Sequence, residues 1–457
     1  MGGWFPLKVW ATVIITFWVS SLTLNSASPV GVRMSLSRHH GVSASENWSR
    51  LEQLRIGIKR DAERFGAWAA TAAASLPERE GKVAMSPVLP APENAGFLMD
   101  LHIGTPPVKL RSLMDTGSEL MWTQCQPCVH CYPQDTPIFN PEKSTSFHAC
   151  RLRNDTGGSC SRRIKYGDGS TVEGYAASET LTFRDQVAFP NITFLCGQNN
   201  SGGIGFNHNS GLVGLSRGRL SLVSQLNVSQ FSYCLPGLGS NSTGTLRLGG
   251  TSSSAGGGEH VTMTPLVRNP PTNDSAKSQY YYVSVEGISV GKTRLESVPK
   301  EAFQLNRNGS GGMIVDTGTS LTYLPTAAFK AVVGEVEKQL KLSSDSSSDL
   351  PCFTLPSNEI SFPKLTLHLQ GTHGGGGANL SLPQGNVFII EEDEVGGRLV
   401  NVTCLAIGDA GGGGSSPGVL GNFVQQNMMV RYDLAQNTLS FEPTNCSRHS
   451  SFQSHTS

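Results

Sequence analysis

The chain has 457 residues, too many for one ordinary hydrophobic core, so two domains with additional segments are expected. Charged residues make up only 15% and the formal net charge is zero, and without a long basic run nothing suggests a nucleic-acid partner. Low charge, 52 glycines and short apolar runs favour strands and turns over long helices.

The first segment reads as a secretory signal, residues 1–28. Lys8 gives the positive start, residues 9–24 form the apolar core, and Ser26, Ala27 and Ser28 offer small side chains for cleavage. A retained membrane anchor is the other reading, but Ser20 and Ser21 interrupt a short apolar core. No other segment reaches spanning length, and the polar tail 448–457 is not a lipid-anchor signal. Residues 46–65 space Leu51, Leu54, Ile58 and Ala62 by three and four, the pattern of an amphipathic helix. Ala- and Pro-containing sequence follows. The block 29–90 is expected to be a removable pro-segment. It carries nine Lys or Arg against six acids, which leaves the body of the chain mildly acidic. A helical cap that stays attached is the alternative.

From Phe97 the text turns to strand. Phe97, Met99, Leu101 and Ile103 alternate with Leu98, Asp100 and His102, Gly104-Thr-Pro-Pro makes a turn, and Val108, Leu110 and Leu113 lead to Asp115. A helix is expected over residues 326–342 and a short one over 220–226; the rest reads as strands and turns. Residues 231–235 are expected to cross between the two halves.

The informative feature is a repeat. Asp115-Thr116-Gly117-Ser118 returns 201 residues later as Asp316-Thr317-Gly318-Thr319, each after a short apolar stretch. One such tetrapeptide carries little. Two, at the ends of buried strands half a protein apart, suggest a duplication that brings two carboxylates together. Ser118 and Thr319 can hydrogen-bond their own aspartates, and Thr116 and Thr317 can tie the turns beneath them. Two acids held that close cannot both ionise, so one keeps a proton and the pair can activate a water between them. The chemistry requires no cofactor and no metal. A third element, Tyr166-Gly167-Asp168-Gly169, reads as a glycine-tipped hairpin able to fold over a cleft, with the Trp122 indole N–H within reach of the Tyr166 hydroxyl. Taken alone it would be an ordinary hairpin turn.

Cys125, Cys128, His130 and Cys131 are crowded enough to suggest zinc in an intracellular protein. With a signal segment, an even count of ten cysteines and ten Asn-x-Ser/Thr triplets beyond residue 90, disulfides in a secreted glycoprotein are the preferred reading.

From about residue 97 to residue 446 the chain resembles the pepsin-like aspartic proteases. The resemblance rests on Ile103-Gly-Thr-Pro-Pro, both Asp-Thr-Gly motifs, the Tyr166 hairpin, and the apolar-apolar-Gly partners Leu212-Val213-Gly214 and Val419-Leu420-Gly421. The run Trp122-Thr-Gln-Cys-Gln-Pro-Cys is similar to the plant nepenthesin-like subgroup. The resemblance implies an all-β, bilobal fold with a few short helices and a cleft between lobes at 91–235 and 236–447. It implies a secreted, monomeric acid endopeptidase made as a zymogen, in the apoplast or the vacuole, acting on protein or peptide substrates. In that reading Asp115 and Asp316 form the dyad, Ser118 and Thr319 support it, and Tyr166 with Gly167, Gly169 and Trp122 serves the flap. It also suggests that Cys128, Cys131, Cys150 and Cys160 staple the loop before the flap, and that Cys352 pairs with Cys404, Cys125 with Cys196 and Cys234 with Cys446. Glu119 stands where the subgroup usually has Asp, and the cysteine insert is short. A catalytically inactive inhibitor or binding protein of the same fold is the second expectation; a two-carboxylate glycosidase would need neither the repeat nor the flap.

Overall fold

The computed structural model describes residues 52, 55–58 and 61 and, within 83–448, all but 92–95, 151–159, 167–169, 185, 202–207, 238–239, 250–260, 272–276, 346–349, 357–359, 373–376, 396–397 and 412–415. The described residues belong to one compact unit, Gly41–Ser457. The expected signal segment lies outside the described residues, as do most of the expected pro-segment and nearly all of the polar tail.

The unit is mostly β, with two lobes built on one local plan. In the first half the strand Gly96–Ile103 pairs antiparallel with Val108–Asp115, Leu98 facing Leu113 and Ile103 facing Val108. Phe97, Met99, Leu101 and Ile103 are all buried, so the alternating residues of the sequence supply the core face. Val108–Asp115 then runs parallel to Gly211–Gly214, bringing Asp115 level with Gly214. The second half repeats this, with Met313–Val315 parallel to Gly418–Leu420.

Between the halves the strands are continuous. Ala84–Ala91 pairs with Gly244–Leu248, which pairs with Gln230–Cys234, then Met428–Asp433, Thr438–Pro443 and Thr262–Val267, every step antiparallel. The segment expected to cross between the halves therefore lies in the middle of a sheet to which both contribute. Ala84–Ala91 also pairs with Gly96–Ile103, so this strand runs through the boundary expected at residue 90 and is integral to the sheet.

The long helix is Thr326–Leu340, two residues shorter than expected, with Lys341 in a left-handed conformation (φ 55°) that ends it. The short helix is Leu222–Gln225, capped by Ser221. Further single turns at Gln384–Val387 and Asn422–Gln425 have too few residues to leave a periodic trace in the sequence. The cysteines pair as Cys125–Cys196, Cys128–Cys131, Cys150–Cys160, Cys234–Cys446 and Cys352–Cys404. With the crowded cysteines consumed this way, no cluster of His, Cys and acids fit for a metal remains among the described residues.

Candidate functional site

The two Asp-Thr-Gly turns meet through their threonines. The Thr116 backbone N–H donates to Thr317 Oγ1 and the Thr317 N–H to Thr116 Oγ1, both at 3.0 Å. Each hydroxyl in turn donates to the carbonyl ahead of the other aspartate, Thr116 to Val315 at 3.1 Å and Thr317 to Met114 at 3.0 Å. All four groups are buried, where unmade hydrogen bonds are costly, so the cross-link fixes the turns against each other.

Each carboxylate is oriented by its own turn. Asp115 Oδ1 accepts from the Gly117 N–H at 2.8 Å and Asp316 Oδ1 from the Gly318 N–H at 2.8 Å. The second oxygens take hydroxyls: Ser118 donates to Asp115 Oδ2, and Thr319 donates to Asp316 Oδ2 at 2.5 Å. The arrangement repeats atom for atom. Gly is required opposite both turns: a Cβ on Gly214 would lie 2.5 Å from the Ser118 carbonyl oxygen, and one on Gly421 would lie 2.0 Å from that of Leu321.

Glu119 accepts from the Leu220 N–H at 3.0 Å, which ties its turn to the neighbouring loop. Tyr166 follows the hairpin arm Ser161–Lys165, and its N–H donates to the Ser170 carbonyl at 2.8 Å. Its ring lies against Trp122, centroids 6.4 Å apart and tilted by 37°. Leu120 and Ile164 pack in the same apolar cluster. The tip residues Gly167, Asp168 and Gly169 lie outside the described residues. Beside the hairpin, Leu120, Ile164, Phe194 and Leu220 line an apolar cavity of about 360 Å³ with His148 and Arg162 also in its wall.

A layer beneath the site is absent from the expectations above. Gln425 Nε2 donates to the Leu420 carbonyl at 2.7 Å, the Gly421 carbonyl at 3.1 Å and the Asp316 carbonyl at 3.4 Å. Its Oε1 accepts from the Tyr233 hydroxyl at 2.5 Å, which lies 3.2 Å from that of Tyr432. Asn422 Nδ2 donates to the Thr317 carbonyl at 3.1 Å. Burial pushes the Tyr233, Tyr281 and Tyr432 hydroxyls well above their ordinary value, so they stay neutral beneath the acids. The signal for this layer is the polar pair Gln425-Gln426 just after Val419-Leu420-Gly421, where an apolar strand-to-helix turn has no other reason for buried amides.

Residues 97–250 match the family described as xylanase inhibitor N-terminal, and residues 280–443 match its C-terminal counterpart. Aspartic proteinase nepenthesin-2 of Nepenthes gracilis is 38% identical over 434 residues, 91% of this chain and 90% of the relative. Nepenthesin-1 of the same plant is 40% identical over 367 residues, 77% of this chain and 78% of the relative. Among solved structures, one titled crystal structure of edgp superposes with a TM-score of 0.62 at 19% identity, covering 82% of this chain and 97% of that one. This last likeness speaks to the fold alone.

Proposed function

Because the chain belongs to the pepsin-like aspartic proteases, in their nepenthesin-like plant branch, we propose that it is a secreted endopeptidase that cleaves peptide bonds in acid through Asp115 and Asp316. The supporting observation is the mirrored hydrogen-bond set on two aspartates whose turns are cross-linked by Thr116 and Thr317. One carboxylate is ionised and takes a proton from a water held between the two. The resulting oxygen attacks the scissile carbonyl carbon while the protonated carboxyl donates to the carbonyl oxygen, giving a gem-diol. Return of a diol proton to the carboxylate and protonation of the amide nitrogen break the C–N bond and restore the pair. Tyr166 closes over the bound peptide, and the apolar cavity beside it takes a substrate side chain. The disulfides and the signal-like leader favour an oxidising, secretory destination. The basic block 29–90 favours synthesis as a precursor.

The xylanase-inhibitor description of the matching family favours a second reading, a binding protein that does not cut. One assay separates the two. The purified protein is incubated with a quenched fluorescent peptide in acid, with and without a statine-type mimic of the gem-diol. The peptidase reading expects cleavage blocked by the mimic, and loss of activity by about 10²–10⁴-fold or more in Asp115→Asn. Cleavage that persists in Asp115→Asn would overturn the dyad, and no cleavage under any condition would favour the binding protein.

A further inference from the structure

The residues directly after the second Asp-Thr-Gly-Thr turn hold an acid from far away in the chain. The Ser320 N–H donates to both oxygens of Asp61 at 3.0 Å, and the Leu321 N–H to its Oδ2 at 2.9 Å. Asp61, Ser320 and Leu321 are all fully buried. A buried carboxylate is costly unless it is hydrogen-bonded, and two converging backbone N–H groups are a strong donor site for one. The carbonyl sides of this stretch face elsewhere: the Phe423 N–H binds the Ser320 carbonyl at 3.0 Å and the Asn422 N–H binds that of Thr319 at 2.8 Å. The N–H pair is thus left pointing away from the lobe's own loop, toward Asp61.

Asp61 belongs to the helical residues 55–58 and 61, within the block expected to be the pro-segment. It falls on the apolar stripe of that pattern, three residues after Ile58, where an acid has no reason to be unless something there binds it. Ile56 and Ile58 pack against the main core, so the helical residues are docked and not merely adjacent.

We propose that the Ser320–Leu321 N–H pair is a carboxylate-binding site of the active-site turn, and that Asp61 is its built-in ligand, anchoring the N-terminal helical segment beside Asp316. The anchor is an acid on backbone N–H groups, next to an acidic catalytic pair. This differs in kind from a basic segment neutralising an acidic cleft, the arrangement that composition alone suggests. The docking stands on its own geometry; only its consequence, restraint of the uncleaved chain, rests on the peptidase reading.

The test uses the full chain at neutral pH with added trypsin, following cleavage at Arg55, Lys59 and Arg60 by mass spectrometry. Asp61→Ala is expected to raise the cleavage rate at these bonds about tenfold or more, with Asp61→Asn between it and wild type because the amide keeps one acceptor oxygen. Equal rates in wild type and Asp61→Ala would overturn the proposal. A second measurement does not depend on folding of the variants. A synthetic peptide of residues 46–66 is added to the acid-converted wild-type enzyme, and its inhibition compared with that of the same peptide carrying Asp61→Ala. About tenfold weaker inhibition by the altered peptide is expected; equal inhibition would overturn the role at the active site. Loss of trypsin protection in Asp61→Ala supports the docking even if neither protein cuts peptides, so the two readings fail separately.

Discussion

Thr116 and Thr317 each do two jobs with one hydroxyl, accepting an N–H from the opposite turn and donating to the carbonyl that precedes the opposite aspartate. Valine matches threonine in shape but can do neither. Thr116→Val should leave the buried Thr317 N–H without its partner, a cost of about 1–3 kcal/mol that a thermal melt would register. The same variant should lower kcat more than it changes KM, since the turns carry the acids and not the substrate. The sequence disclosed this pair because the motif that contains it is written twice. It did not disclose the role of Gln425, which bonds the nearby Leu420 and Gly421 carbonyls but meets Asp316 and Tyr233 only through the fold. Asp61 was equally hidden: from the sequence it is one of six acids in a basic block.

At the level of elements, the hairpin from Gly96 to Asp115 is locked by a charged cross-strand pair. Asp100 faces Arg111, whose Nε donates at 2.8 Å, and Lys109 Nζ reaches the other carboxylate oxygen at 2.8 Å. Burial on its own pushes the Asp100 carboxyl up, but the bonds from Arg111 and Lys109 outweigh it and hold the group below its ordinary 3.8. A depressed carboxyl contributes its stability in full above that ordinary value and loses it as the pH falls through the lower, folded-state value. Asp100→Asn should therefore melt earlier than wild type well above pH 3.8, with the gap closing as the solution is made more acid than that. Such an ion pair survives mild acid, as the proposed activity requires. This hairpin was legible because alternation and a Gly-Thr-Pro-Pro turn are local signals. Ala84–Ala91 was not, since Pro87 and Pro90 within it argue against a strand, yet it is paired on both sides.

For the whole molecule, the two-lobed plan followed from the duplication, whereas the sheet between the halves could not be read from it. Gln230–Cys234 joins Met428–Asp433, a pairing across almost 200 positions to which no periodicity points. Aromatic residues fill this junction: Phe231 stacks on Tyr432 at 4.3 Å, and Tyr281 lies 4.6 Å from Tyr432. The platform under the acids is therefore made jointly by both ends of the catalytic body, and neither lobe should hold its aspartate in place when produced alone. Separate expression of the two lobes should yield no peptide cleavage from either, and activity appearing in one lobe alone would count against this account.

Cys234 and Cys446 are bonded across a separation of 212 residues, joining the central strand of that sheet to the turn that follows its last one. A surface loop severed anywhere in this interval would leave the two pieces tethered as one particle. Nicked protein should migrate as a single band until a reductant is added and then split in two. A scar of that kind need not end the working life of the molecule.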